Sequence, residues 1–254
     1  ALADFERHAR AAREAGLPPP LARRLDAWRQ ILARDLTGAL NTLDAAPPLG
    51  GAWAQLARGW AYYYRSELPQ AQRAGEAALA ADPELYEAHD FMSMIHSRFG
   101  RGADALAHLD RMLQLRGTNT RLLINRAAIR ASTGDLAGCV ADCNELLRLE
   151  PRNAVARLNL GKAYVDLGQA QAALGHLDFL VDLLGAQEGQ LAARARGERA
   201  RARLALGDGP GALEDLREQL RLDPYDPLAE STKAAIKELE EKLGGGTPSP
   251  DPPR

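Results

Sequence analysis

Cysteine, lysine and aromatic residues are all scarce in this chain of 254 residues, and each scarcity excludes something. The two cysteines, Cys139 and Cys143, lie four apart, which on a helix places both on one face, so they read as packing residues rather than a disulfide. Aromatics make up 5% of the residues and β-branched side chains are few, which excludes a sheet-based fold. Apolar runs such as Ala77 to Ala81 fall far short of the ~18 residues that suggest a membrane span. An excess of charge is missing too: 32 basic against 34 acidic residues give −2, leaving no footprint for nucleic acid or an acidic membrane surface. What abounds is Ala, Leu, Arg and Glu, strong helix formers, so the regular structure should be helical. Arg outnumbers Lys 28 to four, the bias of a GC-rich bacterial genome, and localisation stays open between cytoplasm and periplasm.

Catalytic spacings are also missing. No Gly-rich loop ending in Gly-Lys-Ser/Thr, no His-Glu-x-x-His and no Gly-x-Ser-x-Gly occurs, so the chain reads as non-enzymatic, with no cofactor and no metal. His89 and His96 share a helix face two turns apart with Asp90 beside them, but two ligands make a weak metal signal, and packing is the expectation. Asp215 with Glu218 reads as ordinary exposed helix surface.

The organisation lies in repetition. Pro83, Gly117, Pro151 and Gly185 recur every 34 residues; Gly100, Gly134 and Gly168 keep the same period, as do Ala71, Ala105, Cys139 and Ala173. Between these breakers apolar residues recur every three or four positions in two stretches per unit, the pattern of two amphipathic helices joined by a Gly-containing turn. A lone hairpin of this kind cannot bury its apolar stripe, whereas stacked neighbours share one elongated core.

This pattern resembles the tetratricopeptide repeat (TPR) family. Residues 154–187 carry Leu160, Gly161, Tyr164, Gly168, Ala173 and Leu177 at the family's positions, with Gly185 in place of the terminal Pro. Units near 52–85, 86–119, 120–153 and 193–226 follow in register, with Ser93 and Ala127 replacing the mid-helix Gly, and a degenerate unit lies near 20–51. The resemblance implies an all-α, right-handed superhelical solenoid of about six hairpins over residues 18–226. Flanking it, residues 1–17 read as an amphipathic helix, 227–243 as a charged capping helix, and 244–254, with a Gly run and four prolines, as a disordered tail.

Within the family, particular positions of each first helix line the concave groove. Carried over position by position, they give Trp28, then Trp53, Leu56, Trp60, Tyr63 and Tyr64, so all three tryptophans map to one end. Such residues are frequent interface anchors. Asn125 and Asn159 fall where an amide can address the backbone of an extended peptide. Lys162, Arg194 and Arg201 would make the far end basic and receptive to an acidic segment or a terminal carboxylate. The family's chaperone-tail clamp is only partly present: Asn159 and Arg194 match, but Ile124, Ala128 and Glu198 stand where Lys, Asn and Arg are required.

The expected function is therefore a scaffold or adaptor binding a protein partner, a peptide or helix, in the concave groove. The rival is a self-associating structural or envelope assembly factor whose groove is filled by an N-terminal helix.

Overall fold

The computed structural model describes Gly16 and residues 18–45, 50–185 and 189–244, and among them it contains thirteen α-helices and no strand. Two compact units divide the chain, Ala1–Thr118 and Asn119–Arg254. In the first unit the hairpins are α1 (Pro19–Leu32) with α2 (Leu36–Asp44), α3 (Ala52–Tyr64) with α4 (Leu68–Ala81), and α5 (Tyr86–Arg98) with α6 (Gly102–Arg116). In the second they are α7 (Thr120–Ser132) with α8 (Leu136–Leu149), α9 (Ala154–Asp166) with α10 (Ala170–Leu184), and α11 (Gln190–Ala205) with α12 (Gly209–Leu222), followed by α13 (Ala229–Gly244) against α12. Within each unit successive first helices are neighbours, α1 with α3, α3 with α5, α7 with α9 and α9 with α11. The expected helix over 1–17 and the expected tail after Gly244 lie outside the described residues.

Every hairpin turns in the same way. A residue in the left-handed region follows the first helix and the next residue is the N-cap of the second: Arg34, Ser66, Gly100, Gly134, Gly168 and Gly207 all have φ between 63° and 85°. Glycine suits that conformation because it has no Cβ to crowd the carbonyl; another residue there is disfavoured by roughly 1–2 kcal/mol. In three hairpins an Asp then caps the second helix, Gly38, Gly138 and Gly211 each donating a backbone N–H to Asp35, Asp135 and Asp208 at 2.9 Å.

Small residues let the helices close on one another. A Cβ added at Gly59 would lie 2.9 Å from the Phe91 ring, and one at Gly161 would lie 2.5 Å from Leu177. The spaces are thus already filled from the facing helix, as native packing density demands. Cys139 and Cys143 are both fully buried, packed with Leu123, Leu146, Ala156 and Leu160. The Cys139 hydrogen bond and burial push the Cys143 thiol strongly upward, away from a reactive thiolate.

A second periodicity is chemical rather than apolar. In five of the six hairpins two facing positions, 12 residues apart across the turn, hold a pair whose chemistry changes from hairpin to hairpin. Thr42 donates to Gln30 at 2.8 Å; the rings of His96 and His108 stack at 5.3 Å; Arg130 pairs with Asp142 at 2.8 Å; Tyr164 stacks on His176 at 5.7 Å; Arg203 pairs with Asp215 at 2.8 Å. The two carboxylates are held by a second arginine each: Arg126 reaches Asp142 at 2.6 Å and Arg199 reaches Asp215 at 2.6 Å. The reading of Asp215 as exposed surface is therefore corrected: it is 1% exposed, because the two guanidiniums and the α11–α12 contact enclose it.

Candidate functional site

The aromatic residues of the first unit sort by depth. Trp28 and Trp60 are half-buried and pack against the core of α1 to α5, with the Trp60 ring 5.0 Å from Phe91. Trp53 and Tyr64 stand out, 42% and 36% exposed. Tyr63 and Tyr64 lie 5.5 Å apart and both touch Trp60, at 5.7 and 5.6 Å, so the last turn of α3 presents one continuous aromatic face. Leu56, transferred to the groove from the family pattern, is instead a core residue at 1% exposure, because its face of α3 meets α5.

Cations frame this face. The Arg34 guanidinium lies 3.9 Å above the Tyr64 ring, and Arg98 Nη2 donates to the Tyr63 hydroxyl at 3.0 Å. A pocket of about 380 Å³ opens at this end of α3, lined by Tyr63, Tyr64, Ser66, Leu68 and Arg98. Sequence reasoning found the two tyrosines but missed Arg34 and Ser66, whose signal was the absence of glycine at a turn where glycine otherwise recurs.

In the second unit the neighbouring first helices α7, α9 and α11 carry Asn125, then Asn159 and Lys162, then Arg194 and Arg201. Both asparagines are half-buried; Lys162 and Arg194 are exposed. Arg201 is not a free cation: it bonds Asp166 on α9 at 2.7 Å and Glu198 on its own helix at 2.6 Å. Burial works against its charge, but these two carboxylates outweigh that and raise its affinity for the proton. With Arg199 and Arg203 committed to Asp215, three of the five arginines on α11 serve the fold. A pocket of about 580 Å³ along α12 repeats the lesson, since Arg217 and Arg221 there are answered by Glu240 and Glu218 at 2.6 and 2.8 Å.

His89 and His96 are both buried on α5, and the structure adds a third imidazole between them, His108 of α6. The Nδ1 atoms of His89 and His108 are 2.9 Å apart, and His89 Nε2 lies 3.0 Å from the Pro83 carbonyl. A carbonyl only accepts, so His89 carries its proton on Nε2 and accepts at Nδ1, which puts the His108 proton on Nδ1. Burial first, then His89 and His96, lower His108 from 6.5 to about 4. Among the described residues no group of three or more His, Cys, Asp or Glu side chains is arranged to hold a metal ion.

Hairpins of 34 residues with left-handed turns, small mid-helix residues and shared cores decide the architecture. The fold is that of the tetratricopeptide repeat. No family model matches the chain. A curated TPR repeat-containing thioredoxin from Arabidopsis thaliana, TTL4, is 40% identical over 80 residues, 32% of this chain and only 12% of that protein's length. Among solved structures, PilW, a widely conserved type IV pilus biogenesis factor, superposes with a TM-score of 0.67 at 19% identity, covering 84% of this chain and 98% of PilW. MamA gives 0.59 at 17% identity over 79% and 98% of the two chains. YrrB, described as a TPR protein with an unusual peptide-binding site, gives 0.58 at 16% identity over 78% and 97%. At such identities these likenesses establish the TPR fold. Among the described residues no helix is long and apolar enough to cross a membrane.

Proposed function

We propose that this TPR chain is a protein-interaction scaffold whose partner engages the aromatic face of α3 in the first unit, with Trp53, Trp60, Tyr63 and Tyr64 as anchors and Trp28 supporting them from α1. One observation carries the reading: Trp53 and Tyr64, large aromatic side chains, stand 42% and 36% exposed on one helix, and Tyr64 lines a pocket. The peptide-binding site named for YrrB is a property of that protein, and it is consistent with such a use of this fold. Asn125, Asn159, Lys162 and Arg194 of the second unit form a secondary surface, in which half-buried amides supply backbone hydrogen bonds.

Affinity capture from bacterial lysate tests the proposal. A protein retained by the wild-type chain, lost with Trp53→Ala plus Tyr64→Ala, and kept with Asn159→Ala plus Arg194→Ala supports it. Loss only with the second pair moves the partner to the second unit and refutes the assignment of the surface. Retention by both variant pairs refutes both surfaces.

A further inference from the structure

Two turns of the first unit depart from the rule the other four obey. The left-handed turn residue is Gly100, Gly134, Gly168 or Gly207 in four hairpins, but Arg34 and Ser66 in the first two, at φ of 65° and 63°. A side chain in that conformation crowds its own backbone, and strain of this sort persists where the surrounding structure imposes it, commonly at binding sites. Both side chains arrive at one place. Arg34 sits over the Tyr64 ring, and Ser66 lines the pocket that Tyr63, Tyr64, Leu68 and Arg98 complete. Neither Arg34 nor Arg98 has a carboxylate partner among the described residues, in contrast to Arg199, Arg201 and Arg203. Flat apolar walls and the Arg98 guanidinium thus meet in one pocket, with the Arg34 guanidinium over the Tyr64 ring that forms one of its walls.

From this we infer that the pocket at Tyr63 and Tyr64 recognises an acidic segment of a partner protein, with an aromatic ring laid against the two tyrosines and flanking carboxylates gripped by Arg34 and Arg98. An aromatic ring suits walls made of phenol rings and a leucine, since it brings large apolar area with few rotamers. A planar guanidinium offers a carboxylate two parallel hydrogen bonds, and each arginine here is already oriented by its tyrosine. The inference rests on reading α3 as the partner surface; what it adds is the chemistry of the partner.

The test uses the full chain and two fluorescein-labelled peptides read by anisotropy, Gly-Glu-Asp-Tyr-Asp-Glu-Gly and its uncharged counterpart Gly-Gln-Asn-Tyr-Asn-Gln-Gly. The acidic peptide is expected to bind about tenfold tighter or better, an advantage that shrinks as salt rises from about 50 to about 300 mM. Arg98→Gln and Arg34→Gly should each weaken the acidic peptide by about fivefold or more and leave the amide peptide unchanged. Because glycine relaxes the turn, Arg34→Gly and Ser66→Gly should melt no lower than the wild type, so weakened binding cannot be ascribed to misfolding. Equal binding of the two peptides would overturn the charge recognition while leaving α3 as a binding surface. Binding of neither would overturn the inference, with the lysate capture deciding separately whether the α3 reading survives. Tighter binding by Phe5→Ala would also overturn it, because the chain's own Asp4-Phe5-Glu6 would then be the occupant of the pocket.

Discussion

The last turn of α3 and the arginine-rich helix α11 are the two aromatic- and cation-rich surfaces of this fold, and they are built on opposite principles. On α11 five arginines crowd one helix, but Arg199 and Arg203 converge on the buried Asp215 and Arg201 bridges Asp166 and Glu198, so three of the five are taken up by the fold. Beside the last turn of α3 the arginines are fewer, yet Arg34 and Arg98 rest on tyrosine rings with no carboxylate partner among the described residues. Counting cations along a repeat therefore says little about where an anion will bind; what matters is whether the facing repeat position supplies an acid.

The contrast is broken most forcefully at Asp215. Asp215→Ala leaves two guanidiniums enclosed without their carboxylate, and a loss of about 3–5 kcal/mol is expected, read as a large drop in thermal midpoint. Asp142→Ala should behave alike, because Arg126 and Arg130 repeat the arrangement. If either variant melted like the wild type, the clamps would not hold the hairpins. Next in size is packing: Gly161→Ala pushes a methyl group against Leu177 and should cost about 1–3 kcal/mol by denaturant titration.

Acid sharpens the comparison from another side. His108 is held at about 4 in the folded chain against 6.5 when unfolded, first by burial and then by His89 and His96. Between those values the unfolded chain binds the extra proton, so stability that is full above pH 6.5 falls as the pH drops and levels off below about 4. Because the ring is partly exposed, the loss attributable to it is only about 1–2 kcal/mol after solvent screening. His108→Gln should flatten that slope, and an unchanged slope would show that His108 does not titrate as described. Smallest of all, Arg201→Ala removes an exposed pair and should shift stability by about 0–1 kcal/mol, measured by the same titration.

Much of this architecture was legible in the residues. Gly100, Gly134 and Gly168 announced the turns because a left-handed residue all but demands glycine, and Gly161 announced a close helix approach. The paired positions 12 residues apart were not legible, since Gln30 with Thr42, His96 with His108 and Arg130 with Asp142 share a place but no chemistry. Depth within the aromatic group was hidden for a related reason: Trp53 and Trp60 differ by two helical turns in sequence, yet Trp60 packs on Phe91 and the surrounding core while Trp53 stands exposed. Leu56 was misplaced because a family position records where a side chain usually points, not which neighbour fills the space.

The central claim is that the partner is anchored by α3 and the adjacent turns, while three of the five α11 arginines serve the fold. Hydrogen exchange on the chain with and without its captured partner tests that most directly. The account predicts slowed exchange over residues 33–35 and 52–66 with residues 190–205 unchanged; protection confined to residues 190–205 would contradict it.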